Sequence, residues 1–119
     1  LKNHSKVNYV SWAGFKENIY HELAKKYFKD GFGSVFTFSL KSGYEGAMQL
    51  VENCNLISHL ANIGDTRSLI VHPASTTHRQ LNNEQKEKSG VGDSIIRLSI
   101  GLESHKDIIA DLEGALSTI

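Results

Sequence analysis

Two segments of the chain alternate apolar and polar side chains with a period of two: Ser34–Leu40 (SVFTFSL) and Ile95–Gly101 (IIRLSIG). Such alternation marks a strand with one buried face. Phe36, Phe38 and Leu40 share one side of the first, with Val35, Thr37 and Ser39 on the other. In the second, Ile96, Leu98 and Ile100 face the core while Arg97 and Ser99 face away. Each segment is followed by one whose apolar residues recur every three or four positions, which a helix gathers into a stripe. Ser42 and Glu45 stand at capping-box spacing ahead of Ala47, Met48, Val51 and Cys54. Ser104 and Asp107 do the same ahead of Ile108, Ile109, Leu112, Ala115 and Leu116. One-faced strands and one-striped helices can bury their apolar sides only against each other, so a layered fold follows.

The remaining signals fill in the order. Asn8–Trp12 (NYVSW) is short and β-prone. Phe15–Phe28 carries Phe15, Ile19, Leu23 and Tyr27 four apart, an expected amphipathic helix that Gly31 and Gly33 end. Ser68–Val71 (SLIV) reads as a strand stopped by Pro73, and Asn82–Ser89 as one polar surface turn of helix. The order β-α-β-α-β-β-α predicts an α+β fold: a two-layer sandwich with a small, mostly antiparallel sheet of about four strands and helices on one face. The Arg97 face is then free to meet something else. Leu1–Lys6 reads as a linker and residues 7–119 as one domain. The first residue is leucine rather than methionine, so the chain is expected to have been processed or cut from something longer.

Composition narrows the function classes. Thirteen basic and thirteen acidic side chains cancel, which removes the electrostatic reason to expect nucleic acid or an acidic membrane as partner. No apolar run reaches transmembrane or signal-peptide length. A single cysteine, Cys54, allows no internal disulfide and fits a reducing, cytoplasmic setting.

Few residues have the character of a site. Arg97 lies mid-strand between apolar neighbours, so its guanidinium points off the apolar face. Its planar fork suits either a bidentate grip on a carboxylate or phosphate, or an ion pair with a neighbouring acid. Cys54 and Met48 read as core atoms rather than chemistry. His59, His72 and His78 lack a recognised metal-ligand spacing and read as hydrogen-bonded structural histidines. Ser75, Thr76 and Thr77 read as turn and cap hydroxyls, since a nucleophile's partners cannot be inferred from adjacency. Gly31–Ser34 (GFGS) precedes a strand, whereas phosphate-binding glycine loops follow one. The segment Asn62–His78 (NIGDTRSLIVHPASTTH) nonetheless sets an unusually polar loop after a buried strand, as binding sites do.

GDTRSLIVHPASTTHRQL and GVGDSIIRLSIGLESHKDIIADLEGAL together resemble the end of the cysteine/methionine-metabolism family of pyridoxal-phosphate enzymes. That family shares an SL…HPAS-T-TH stretch, here Ser68–His78, and a closing RLSVGLE strand, here Arg97–Glu103. Asp111, Leu112, Ala115 and Leu116 stand for its DL…AL ending. KYFKDGFGSVFTFSLKSGYEGA extends the likeness over nearly the whole chain from about Val7. Asn62-Ile63-Gly64-Asp65 replaces the Ser-Leu-Gly-Gly or Ser-Leu-Gly-Asp of the γ-lyases and γ-synthases. With GFGSVFTFSL, it is similar to the O-acetylhomoserine sulfhydrylase branch. That branch usually has proline before the glycine of its first strand-to-helix turn, where this chain has Ala13 before Gly14.

The resemblance implies a C-terminal domain that closes over an active site, with pyridoxal 5'-phosphate held on a Schiff-base lysine of a large domain outside the chain. It implies that Arg97 binds the substrate α-carboxylate, with Asn62 beside it and Thr77 and Ser68 as nearby support. The implied reaction is γ-replacement, in which the cofactor acts as electron sink while acetate leaves O-acetylhomoserine and sulfide or a thiol replaces it. A cystathionine γ-synthase or γ-lyase relative, or a free-standing amino-acid-binding regulatory domain, stands as the alternative. The implied partners are a small amino-acid substrate, the large domain and further copies in a homo-oligomer, a tetramer. The 119 residues alone are expected to be inactive.

Overall fold

The computed structural model describes the backbone of residues 1–119 and every side chain except those of Asn83 and Glu87. The elements run β1 (Val7–Ser11), α1 (His21–Tyr27), β2 (Val35–Leu40), α2 (Gly43–Asn53), β3 (Ser58–His59), β4 (Leu69–Val71), a 3-10 turn (Pro73–Ser75), α3 (Asn83–Lys88), β5 (Ile95–Ser99) and α4 (His105–Ser117). The five strands form one sheet in the order β1-β2-β5-β4-β3. Pairs β1–β2, β2–β5 and β4–β5 are antiparallel, and β3–β4 is parallel. The α+β class and the mostly antiparallel sheet are as expected. The fifth strand, β3, escapes sequence reading because two residues carry no alternation.

The core lies between the sheet and the α2/α4 layer. Phe38, Leu40, Ile70, Ile96 and Leu98 meet Ala47, Leu50 and Val51 of α2 and Ile108, Leu112, Ala115 and Leu116 of α4. The alternation of β2 and β5 thus places their apolar sides as read. Met48 and Cys54 are half-buried, with Cys54 packed against the core. Neither predicted side-chain cap forms, at Ser42 or at Ser104. At α4 the Ser104 carbonyl instead accepts from the Asp107 and Ile108 N–H groups. A reciprocal box does form at α3, where Asn82 Oδ1 accepts from the Gln85 N–H (2.9 Å) and Gln85 Oε1 accepts from the Asn82 N–H (3.0 Å). Among the described residues no helix is long and apolar enough to cross a membrane.

The first helix departs most from expectation. Instead of spanning Phe15–Phe28 it begins at His21, after successive turns in which each N–H bonds three residues back: Phe15 to Trp12, Asn18 to Phe15, His21 to Asn18. The Asn18 side chain accepts from the Tyr20 N–H (2.9 Å), a local bond that competes with helix formation. The registration changes accordingly. His21 and Ala24 are buried, His21 bonding the Ala13 carbonyl (2.8 Å) and stacking on Phe32, while Ile19 is 87% exposed and Leu23 and Tyr27 point outward.

Candidate functional site

On β5, Ile96 and Leu98 project into the core, so Arg97 and Ser99 project to the side away from α2 and α4. Arg97 lies opposite Thr37 of β2 and Val71 of β4, and Ser99 opposite Val35 and Leu69. The far side of the sheet is not bare. Leu69 and Val71 are only 3% and 5% exposed, because Leu60, Ala61 and Asn62 fold back beside them. These residues, with Arg97 and Ser99, border a small hollow. Arg97 makes no side-chain hydrogen bond or ion pair with any described residue. Of the two readings of Arg97, an ion pair with a neighbouring acid thus has no described partner. A guanidinium beside an apolar floor holds an anion more strongly than one in open water, since the lower local dielectric strengthens the attraction.

Asn62 reaches the same hollow from the turn Asn62–Asp65. Its Oδ1 accepts from the Ile63 N–H (2.9 Å), and its Nδ2 donates to Asp65 Oδ2 (3.3 Å), leaving a second amide N–H to donate elsewhere. Gly64 supplies the positive φ (75°) of this turn. Arg67 grips Asp65 through Nε (3.1 Å) and a terminal nitrogen (2.9 Å). That fork, with the Arg67 N–H, holds the Asp65 carboxyl well below the usual carboxylate range. Arg67 is therefore committed to the turn, and Arg97 is the cation at the hollow.

Ser68 and Thr77 do not border the hollow. The parity of β4 sends Leu69 and Val71 towards it and Ser68 to the other side, where the serine is fully buried. There Ser68 Oγ donates to Glu103 Oε2 (2.7 Å) and accepts from the Gly101 N–H (2.9 Å). The Ser68 N–H donates to both Glu103 oxygens (2.8 and 3.1 Å). These bonds, the backbone N–H first, lower the Glu103 pKa, so the clasp's contribution is present above the ordinary carboxylate range and lost as pH falls through the depressed value. Thr77 is exposed, with Oγ1 bonded to His78 Nδ1 (2.8 Å). Glu103 is the residue sequence reading passed over; its partner lies 35 positions away.

The polar run after β4 is used internally. His72 is 1% exposed; its Nε2 donates to the Asp93 carbonyl (2.8 Å), which makes Nδ1 the acceptor for the Ser75 hydroxyl (2.9 Å). Burial pushes its pKa down, so the neutral ring persists. Thr76 Oγ1 donates to the His72 carbonyl (2.8 Å). These are the hydrogen-bonded histidine and turn hydroxyls expected. No group of three or more metal-ligating side chains occurs among the described residues. Burial also pushes the Cys54 thiol up to about 12. Alkylation of Cys54 by iodoacetamide at pH 8 is expected to be at least tenfold slower in folded than in urea-unfolded protein, measured by mass spectrometry, since the thiolate is the nucleophile.

A half-buried arginine and an amide thus border one hollow on a small α+β sandwich. The relatives give this arrangement its family. Residues 1–117 match the family described as Cys/Met metabolism PLP-dependent enzyme. An O-acetyl-L-homoserine sulfhydrylase of Thermus thermophilus is 47% identical over 117 residues, covering 98% of this chain and 28% of that protein. An L-methionine gamma-lyase of Fusobacterium nucleatum subsp. polymorphum is 44% identical over 119 residues, covering 100% of this chain and 30% of its own length. Among solved structures, a Campylobacter jejuni protein carrying N'-pyridoxyl-lysine-5'-monophosphate superposes with a TM-score of 0.88 at 43% identity, over 97% of this chain and 27% of that one. The cystathionine gamma synthase of Xanthomonas oryzae superposes equally well, TM-score 0.88, at 36% identity over 98% of this chain and 30% of its own. The chain belongs to the Cys/Met-metabolism family of pyridoxal-phosphate-dependent enzymes. It spans between a quarter and a third of the length of these relatives.

None of the chain's lysines borders the Arg97 hollow, and the glycines at Gly31 and Gly33 lead into β2 rather than opening a helix. These residues do not make a seat for the cofactor's phosphate or aldehyde.

Proposed function

We propose that the chain is the C-terminal, substrate-orienting domain (residues 7–119) of a longer enzyme of the O-acetylhomoserine sulfhydrylase type. In this reading Arg97 binds the substrate α-carboxylate and Asn62 donates a second hydrogen bond beside it, while the cofactor-bearing domain lies outside the chain. The observation that carries it is the pairing of Arg97, which has no described protein partner, with Asn62 at one apolar-floored hollow. A bidentate carboxylate contact fixes two points of a flexible amino acid, and the remaining rotation is what an amide at the rim can restrict. The Asn62–Asp65 turn and the Thermus thermophilus relative favour the sulfhydrylase chemistry, in which O-acetylhomoserine and sulfide give homocysteine and acetate.

The methionine gamma-lyase relative, of nearly equal identity, supports a second reading in which a thiol leaves and is not replaced. The full-length protein, reconstituted with pyridoxal phosphate, is offered O-acetylhomoserine with sulfide, or L-methionine alone. Homocysteine formed from the first pair at a kcat/KM at least tenfold above methionine breakdown is the expected result, with no turnover by the 119 residues alone. Breakdown of methionine as the dominant activity selects the second reading.

A further inference from the structure

We propose that Glu103 is a positioning residue for the Arg97 site: by clasping Ser68 it sets where Asn62 stands relative to Arg97. The proposal rests on the reading of Arg97 and Asn62 as the carboxylate anchor. Arg97 is part of the β5 ladder and has little freedom of backbone placement, paired to β2 on one side and β4 on the other. Asn62 sits at the start of the irregular segment that leads to β4, so its place depends on how the far end of that segment is fixed. The fixing is done at the exit of β5. Glu103 accepts from the N–H and hydroxyl of Ser68, Ser68 Oγ accepts from the Gly101 N–H, and the Leu102 N–H donates to the Thr66 carbonyl (2.8 Å). Gly101 is what permits the approach. A Cβ there would fall inside van der Waals contact of the Thr66 carbonyl oxygen and the Ser68 nitrogen, both backbone atoms that cannot turn aside. From Ser68 the connection runs back through Arg67 to Asp65, and from Asp65 to the Asn62 amide.

The clasp is therefore a short connection from the end of the arginine's own strand to the amide that shares its hollow, made of hydrogen bonds on either side of the Arg67–Ser68 peptide link. A carboxylate is suited to its centre, since both oxygens only accept and every group facing them from Ser68 donates. Glutamine would turn an N–H2 towards one of those donors. Glu103 itself lies on the helix side with Ser68, so its influence on substrate passes through the loop.

The experiment uses the full-length holoenzyme with O-acetylhomoserine and sulfide. Glu103→Gln is expected to raise KM for the amino acid about tenfold with kcat within about twofold, and Glu103→Asp, which keeps the acceptors, to recover part of the loss. In an Asn62→Ala background the same Glu103→Gln change should add less than about twofold, because the group it positions is gone. If Glu103→Gln does not yield folded protein, Ser68→Ala, which keeps the backbone N–H on Glu103, is expected to raise KM about threefold and to lose that effect in the Asn62→Ala background. An Arg97→Ala variant that loses affinity beside a Glu103→Gln variant that does not overturns the positioning role and leaves the anchor standing. An equal effect of Glu103→Gln with and without Asn62 also overturns it, as a general loss of stability. Normal KM in Arg97→Ala removes the anchor, and the positioning role with it.

Discussion

Arg97→Ala in the full-length protein is expected to raise KM for the amino-acid substrate by roughly 10- to 150-fold while changing kcat far less. The range follows from the strength of a charge-assisted hydrogen bond, ~1.5–3 kcal/mol. The upper part applies here because Leu69 and Val71 keep the floor of the hollow apolar and described acids leave the guanidinium unclaimed. Arg97→Lys retains the charge but loses the fork, so it should fall between the two. Steady-state kinetics with the amino acid varied at saturating sulfide measures both variants. A Arg97→Ala enzyme with unaltered KM and kcat removes the anchor from the account.

The largest stability effect is expected at Phe38. It stands on the central β2 strand between Val10 of β1 and Ile96 of β5, with no exposure, and faces the α2/α4 layer. Phe38→Ala opens a cavity that close-packed neighbours on three sides cannot fill, at a cost of about 3–5 kcal/mol. Val35→Ala, on the outward side of the same strand and nearly half exposed, should cost no more than about 0.5 kcal/mol. Urea denaturation of the full-length protein compares them. Equal shifts would mean that the alternation of β2 does not sort core from surface as described.

That alternation also explains which parts of the molecule were legible in the sequence. In β2 and β5 every second side chain is apolar, and tertiary packing agrees with the local pattern, so the faces followed directly. The stripe Phe15-Ile19-Leu23-Tyr27 had equally regular spacing but misled. Asn18 closes a turn on Tyr20, the helix starts later, and the residues that become buried are His21 and Ala24. Periodicity reports what a helix would bury if it formed; it is silent about a side chain that blocks the first turn. The buried His72 with both nitrogens bonded was legible because no metal spacing surrounded it. Arg97 was legible as an outward cation from parity alone. Its meeting with Asn62 was not, since 35 residues and strand β4 separate them, and only the family resemblance put them together. The same resemblance put Ser68 near the substrate, whereas strand parity turns it towards Glu103. The clasp was invisible because neither the serine before an apolar run nor the glutamate after a glycine has a distinctive spacing.

The most direct test of the central claim is a crystal structure of the full-length protein with an unreactive amino-acid substrate analogue bound. With Arg97 as the anchor, the analogue's carboxylate is expected within about 3 Å of both the Arg97 guanidinium and the Asn62 amide nitrogen. A carboxylate bound by other residues, with Arg97 turned to solvent or paired to a protein acid, would contradict it.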